Sequence, residues 1–112
     1  MIRDQHFMQI QRIDYPSPVD QVDPENDNID VHVYLVDGRV YSFLVATPNN
    51  IFWCMENEGT DYFFGFPPPI FVTRLTRENV ERALHALVSE DKIKSLEVYG
   101  ILQSRITARR SD

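Results

Sequence analysis

The chain has 112 residues and a mass of 13.1 kDa, with 43% hydrophobic and 12% aromatic content, enough for one domain with one core and too apolar for an intrinsically disordered polymer. Seventeen acidic residues against eleven basic ones leave a net charge of −6. That argues against nucleic acid as a partner, since binding there depends on a basic surface that displaces counterions. Cys54 is the only cysteine, so no intramolecular disulfide can form and packing must hold the fold.

The first residues, Met1 to His6, lack the apolar stretch of a secretory signal, and no apolar run approaches the roughly 20 residues that span a bilayer. A cytoplasmic protein without membrane contact is expected. From Phe7 to Ile13, Met8 and Ile10 alternate with Gln9 and Gln11, the period of a half-buried strand. Residues 14–28 then hold Pro16, Pro18 and Pro24 with Asp14, Asp20, Asp23, Glu25 and Asp27 and no Lys or Arg. This is the composition of a long surface loop.

Val31 to Val45 carries the strongest local signal: two β-branched and aromatic runs around Asp37-Gly38. Read as a two-residue type I′ turn, Asp-Gly sets the register of a hairpin. Leu35 then faces Val40, Val33 faces Ser42 and Val31 faces Leu44 on one side, with Tyr34 facing Tyr41 and His32 facing Phe43 on the other. Both faces are apolar in that register, which places the hairpin near the middle of a sheet and leaves a surplus aromatic face. Thr47–Asn50 reads as a turn, Ile51–Glu56 as a further central strand, and residues 57–61 as a hairpin onto a strand at Tyr62–Phe66. Pro67, Pro68 and Pro69 follow as a rigid connector that ends that strand, since proline supplies no ladder donor.

A helix is predicted to start after Thr76 as N-cap, with Glu78 in the first turn and Asn79 at the capping-box position. Val80, Ala83, Leu84, Leu87 and Val88 form its apolar stripe, and Arg77–Glu81 and Glu78–Arg82 are i,i+4 pairs on its wet side. A last strand, about Ser95–Leu102, contains Gly100 as a bulge candidate. The expected fold is therefore α+β: a two-layer sandwich with a mostly antiparallel twisted sheet of five to seven strands and one helix packed across one face. A single domain spans residues 1–104, followed by a basic tail at 105–112 that includes Arg105, Arg109 and Arg110.

Catalytic and metal signatures are weak. Asp23 to Asp30 resembles a calcium loop only in its acids: Asn28 stands where glycine is required and Tyr34 where the bidentate glutamate is required. Cys54 sits inside an apolar run, the setting of an inert structural cysteine. His6, His32 and His85 have no metal-ligand spacing, and Gly38, Gly59, Gly65 and Gly100 are isolated rather than gathered into a phosphate loop. No cofactor or metal is expected.

These features point to a small acidic binding protein acting through protein–protein contacts, of an inhibitor or immunity type. Asp20, Asp23, Glu25, Asp27, Glu56, Glu58 and Asp61 would meet a basic protein surface. His32, Tyr34, Tyr41, Phe43, Trp53 and Phe64 form the candidate pocket or interface. A homodimer, or the N-terminal strand curling over, would also cover the surplus aromatic face. The alternative is a small-molecule-binding protein or enzyme that uses the same aromatic face, with His32, Tyr34 and Tyr41 as polar handles.

Overall fold

The computed structural model describes residues 10–65, 67–89 and 93–105. Phe66, the stretch 1–9 with Met8 and His6, and residues 106–112 with Arg109 and Arg110 lie outside them. The order of elements is β1 (Ile10–Asp14), a 3₁₀ turn (Val19–Gln21), β2 (Asn28–Leu35), β3 (Arg39–Ala46), α1 (Pro48–Glu58), β4 (Ile70–Phe71), α2 (Arg77–Ser89), α3 (Ile93–Tyr99) and β5 (Gly100–Arg105). This is a mixed α+β fold in which five strands among the described residues form one sheet, antiparallel except where β4 joins β3 in parallel. β3 is central. β2 lines one of its edges, while β4 and β5 share the other, at Val45–Ala46 and Arg39–Phe43 respectively.

The expected hairpin forms, but its register is one residue away from the Asp-Gly reading. Val33 pairs with Tyr41, Val31 with Phe43, His32 with Ser42 and Tyr34 with Val40. The connection is a three-residue loop, Val36 to Gly38, in which the Gly38 N–H donates to Leu35 O at 3.0 Å and Gly38 carries φ 99°. A loop that turns and then ends on a positive-φ glycine is the usual three-residue solution, and it uses the same glycine a type I′ turn would. Because side chains alternate with a period of two, this slip moves Tyr41 and Phe43 to the opposite face. They join Ile29, Val31, Val33, Leu35 and Val45 in the core, with Tyr41 3% and Phe43 1% exposed.

α2 follows its sequence signals. Asn79 N–H donates to Thr76 Oγ1 at 3.2 Å as the cap requires, and Val80, Leu84 and Val88 are buried in the same cluster, with Ala83 and Leu87 packed against it. Its charged residues find partners other than the i,i+4 ones: Arg77 pairs with Asp20 at 2.9 Å, Arg82 donates to Asn79, and Glu81 accepts from Tyr15.

Three segments differ from expectation. Ile51–Glu56 is helical within α1, so the turn at 47–50 and the hairpin at 57–61 are its two caps, and Tyr62–Gly65 forms no strand. Ser95–Tyr99 belongs to α3, giving three α-helices among the described residues rather than one. Gly100 is the junction where α3 becomes β5, and the register shift lies further along, opposite Val40 and Tyr41. A Cβ on Gly100 would stand 2.7 Å from the Phe43 ring and 2.9 Å from Leu96 O. Only glycine lets α3 turn into the sheet this close to the core. Arg105, assigned to the tail by sequence, is the last residue of β5.

Candidate functional site

The site is built on α1, whose boundaries are chemically explicit. Thr47 Oγ1 accepts from Asn50 N–H at 3.3 Å and Pro48 occupies the first turn, where its missing N–H costs nothing. At the other end Gly59 is left-handed (φ 68°). Its N–H donates to Glu56 O at 3.2 Å, while Thr60 N–H donates to Met55 O at 2.9 Å, the paired closure of a glycine-capped helix.

The first turn of α1 is fastened to the acidic loop. Thr47 N–H donates to Asp27 O and Thr47 Oγ1–H to Glu25 O. Asn50, buried, accepts from Asn28 Nδ2 at 2.6 Å and donates to Asn26 Oδ1 at 3.0 Å. Beyond that turn the helix contributes no side chain to the buried cluster that β2, β3, α2 and α3 build. Phe52 and Trp53 are 64% and 52% exposed, and Phe71 of β4 is 52% exposed. Past the helix end Tyr62 and Phe64 stand out with their rings 5.4 Å apart, Phe64 being 88% exposed. Pro48, Ile51, Phe52, Met55 and Phe71 line a cleft of about 180 Å³, and Pro48 also borders a polar cleft of about 270 Å³ with Glu25, Thr47, Asn49 and Thr73.

No Lys, Arg or His lies between Arg39 and Arg74. Glu56 and Glu58 occupy the last turn of α1, which carries no basic residue, so two carboxylates sit at the negative end of the helix dipole, where they are unfavourable. Among the described residues no ion pair forms on Glu56, Glu58 or Asp61.

The other acidic candidates are engaged within the chain. Asp20 holds Arg77 and Glu25 holds Arg74 at 2.8 Å. Asp23 accepts from Glu25 N–H, and Asp27 from Asn28 N–H. Asp20's hydrogen bond raises the Arg77 pKa above its ordinary value, and Arg77 also lies over the Tyr15 ring at 4.6 Å. Burial, then the hydrogen bond to Glu81 Oε2 at 2.8 Å, pushes the Tyr15 phenol well above the usual tyrosine range. The loop is thereby clamped to α2.

The candidate pocket residues are not brought together. His32 and Tyr34 stay half-buried on one face of β2, with Arg12 over the Tyr34 ring at 3.9 Å. Tyr41 and Phe43 are core residues on the other face, which removes them as pocket walls and Tyr41 as a handle beside His32. Trp53 and Phe64 are exposed on the α1 segment. Cys54 is half-buried on α1 with Sγ 3.9 Å from Asn50 Oδ1, and among the described residues no group of three metal-ligating side chains gathers. Met55 and Phe71 were not among the sequence candidates, and Phe52 and Tyr62 counted only toward a surplus of aromatics on the sheet. Their signal was available as Thr-Pro at one end and glycine eleven residues past Pro48 at the other.

No family model, curated protein or solved structure matches this chain. No described helix is long and apolar enough to cross a membrane.

Proposed function

We propose that the chain is a small acidic protein-docking module of the cytoplasm, and that α1 with the segment through Phe71 meets a basic protein surface. One observation carries the reading: Phe52, Trp53, Tyr62, Phe64 and Phe71 are exposed in the same cation-free segment that holds Glu56, Glu58 and Asp61, which form no ion pair among the described residues. Burying a side chain of this size is worth about 1.5–3 kcal/mol, and aromatic anchors ringed by polar residues are what protein interfaces use. The acids favour a cationic partner over a second copy, since a two-fold interface would oppose like charges. The two clefts beside α1, of about 180 and 270 Å³, fall below the roughly 300–1,000 Å³ of small-molecule pockets, so this surface suits a protein side chain better than a small ligand. An inhibitor or immunity-type protein is one function that such a surface serves.

The test is affinity capture with the full chain at low and high salt beside Phe64→Ser and Glu56→Lys, followed by titration calorimetry with the purified partner. A basic partner whose affinity falls about tenfold or more in each variant, and with salt, is expected. Equal capture by the wild type and both variants overturns the reading, as does a stable homodimer that Phe64→Ser dissociates.

A further inference from the structure

We infer that the partner seats one bulky apolar side chain in the cleft between α1 and β4 and sets a Lys or Arg of the same segment against Glu56 and Glu58. This rests on the docking reading and assigns its central contact. Every wall of the cleft is apolar: Pro48, Ile51, Phe52, Met55 and Phe71. Its volume of about 180 Å³ leaves room for the side chain of one leucine, methionine or phenylalanine. Water filling such a cleft finds no polar partner there, so an apolar group displaces it readily.

The charge next to the anchor follows from helix periodicity. Residues three and four apart share a helix face. Glu56 therefore stands one turn beyond Phe52 and Glu58 one turn beyond Met55, both of which line the cleft. These carboxylates sit where the helix dipole opposes them, and among the described residues no cation pairs with them. A cation presented beside the anchor relieves both conditions, which no anionic or neutral neighbour does. A second copy of the chain would bring its own acids to the same place, and the occupant is therefore a segment of a different protein.

A phage-displayed library of random linear peptides, selected on the full chain, supplies the probe. Selected peptides are expected to share a bulky apolar residue next to Lys or Arg. In the wild type the synthetic peptides shift the Met55 methyl resonance and the emission of Trp53, the single tryptophan. Replacing the peptide's anchor by glycine, or filling the cleft with Met55→Trp, weakens binding about tenfold or more, and Phe71→Ala, which opens the cleft from the β4 side, weakens it likewise. Glu56→Gln weakens binding by a smaller factor that high salt erases. Selection of peptides without an apolar residue, a Met55 methyl that does not move, or full affinity in both Met55→Trp and Phe71→Ala overturns the anchor. A partner that loses affinity for Phe64→Ser, which lies outside the cleft, yet tolerates the cleft variants overturns the anchor alone and leaves the docking reading standing. Indifference to all of them overturns both.

Discussion

Residues 14–28 and 48–71 are both acidic, both free of Lys and Arg, and both rich in proline, yet the fold treats them in opposite ways. In the first, Asp14 pairs with Arg12, Asp20 with Arg77 and Glu25 with Arg74, Asp23 and Asp27 hold backbone N–H groups, and Val19 is buried in the core. In the second, the carboxylates have no ion-pair partner among the described residues, and Phe52, Trp53, Tyr62, Phe64 and Phe71 are exposed. Composition alone cannot tell an acidic segment that is paired within the chain from one that is not. What separates them is whether distant cations reach back.

The strongest way to break that contrast is to cut the core on which the first segment leans. Leu84→Ala truncates a fully buried α2 side chain and is expected to cost about 2–5 kcal/mol; Phe64→Ser in the second segment should shift stability by less than about 0.5 kcal/mol. Comparable denaturation midpoints in the two variants would erase the distinction. Next comes Asn50→Ala, which unties Asn26 and Asn28 from α1. A loss of about 1–3 kcal/mol is expected, with amide exchange accelerating in residues 25–28 as well as in α1.

Tyr15→Phe should remove about 1 kcal/mol at neutral pH and change the alkaline limb. The folded phenol titrates above the unfolded value of 10.0, so the fold favours its neutral form. That contribution is complete below about pH 10 and is lost as pH rises further. The stability gap between wild type and Tyr15→Phe should narrow above pH 10, and a constant gap from neutral pH upward would detach Tyr15 from the clamp. The smallest effect has the opposite sign. Glu56→Lys places a cation at the C-terminal end of α1 and should stabilise the chain by about 0.3–1 kcal/mol, even as it weakens the proposed docking. A loss of stability instead would mean that Glu56 serves the fold.

The parts legible in sequence were those with long or doubly marked signals. The β2 and β3 runs and the apolar stripe Val80–Leu84–Val88 emerged where expected. The register did not, because one Asp-Gly pair serves both two-residue and three-residue loops and a difference of one residue reverses every side chain. That ambiguity sent Tyr41 and Phe43 to the wrong face. Ile51-Phe52-Trp53-Cys54-Met55 resembles a strand because a short apolar run carries no period; its caps, Thr47 with Pro48 and Gly59, were the better guide. Glu56, Glu58, Asp61, Trp53 and Phe64 were readable as surface candidates. The engagement of Asp20 and Glu25 was not, since Arg77 and Arg74 lie about fifty residues further along the chain.

The shared edge of β3 has a consequence for synthesis. β2 and β3 can close as a hairpin as soon as both have been made, but Arg39–Phe43 waits for Gly100–Arg105 to cover it. At roughly 5–20 residues per second, that is about 3–12 s during which the edge is bare. The waiting stretch, Val40-Tyr41-Ser42-Phe43-Leu44-Val45, is uncharged, β-branched and aromatic, the composition that templates strand addition between chains. A ribosome-bound chain stopped before residue 100 should therefore be prone to aggregate through β3, and full-length chains should escape that fate once β5 docks.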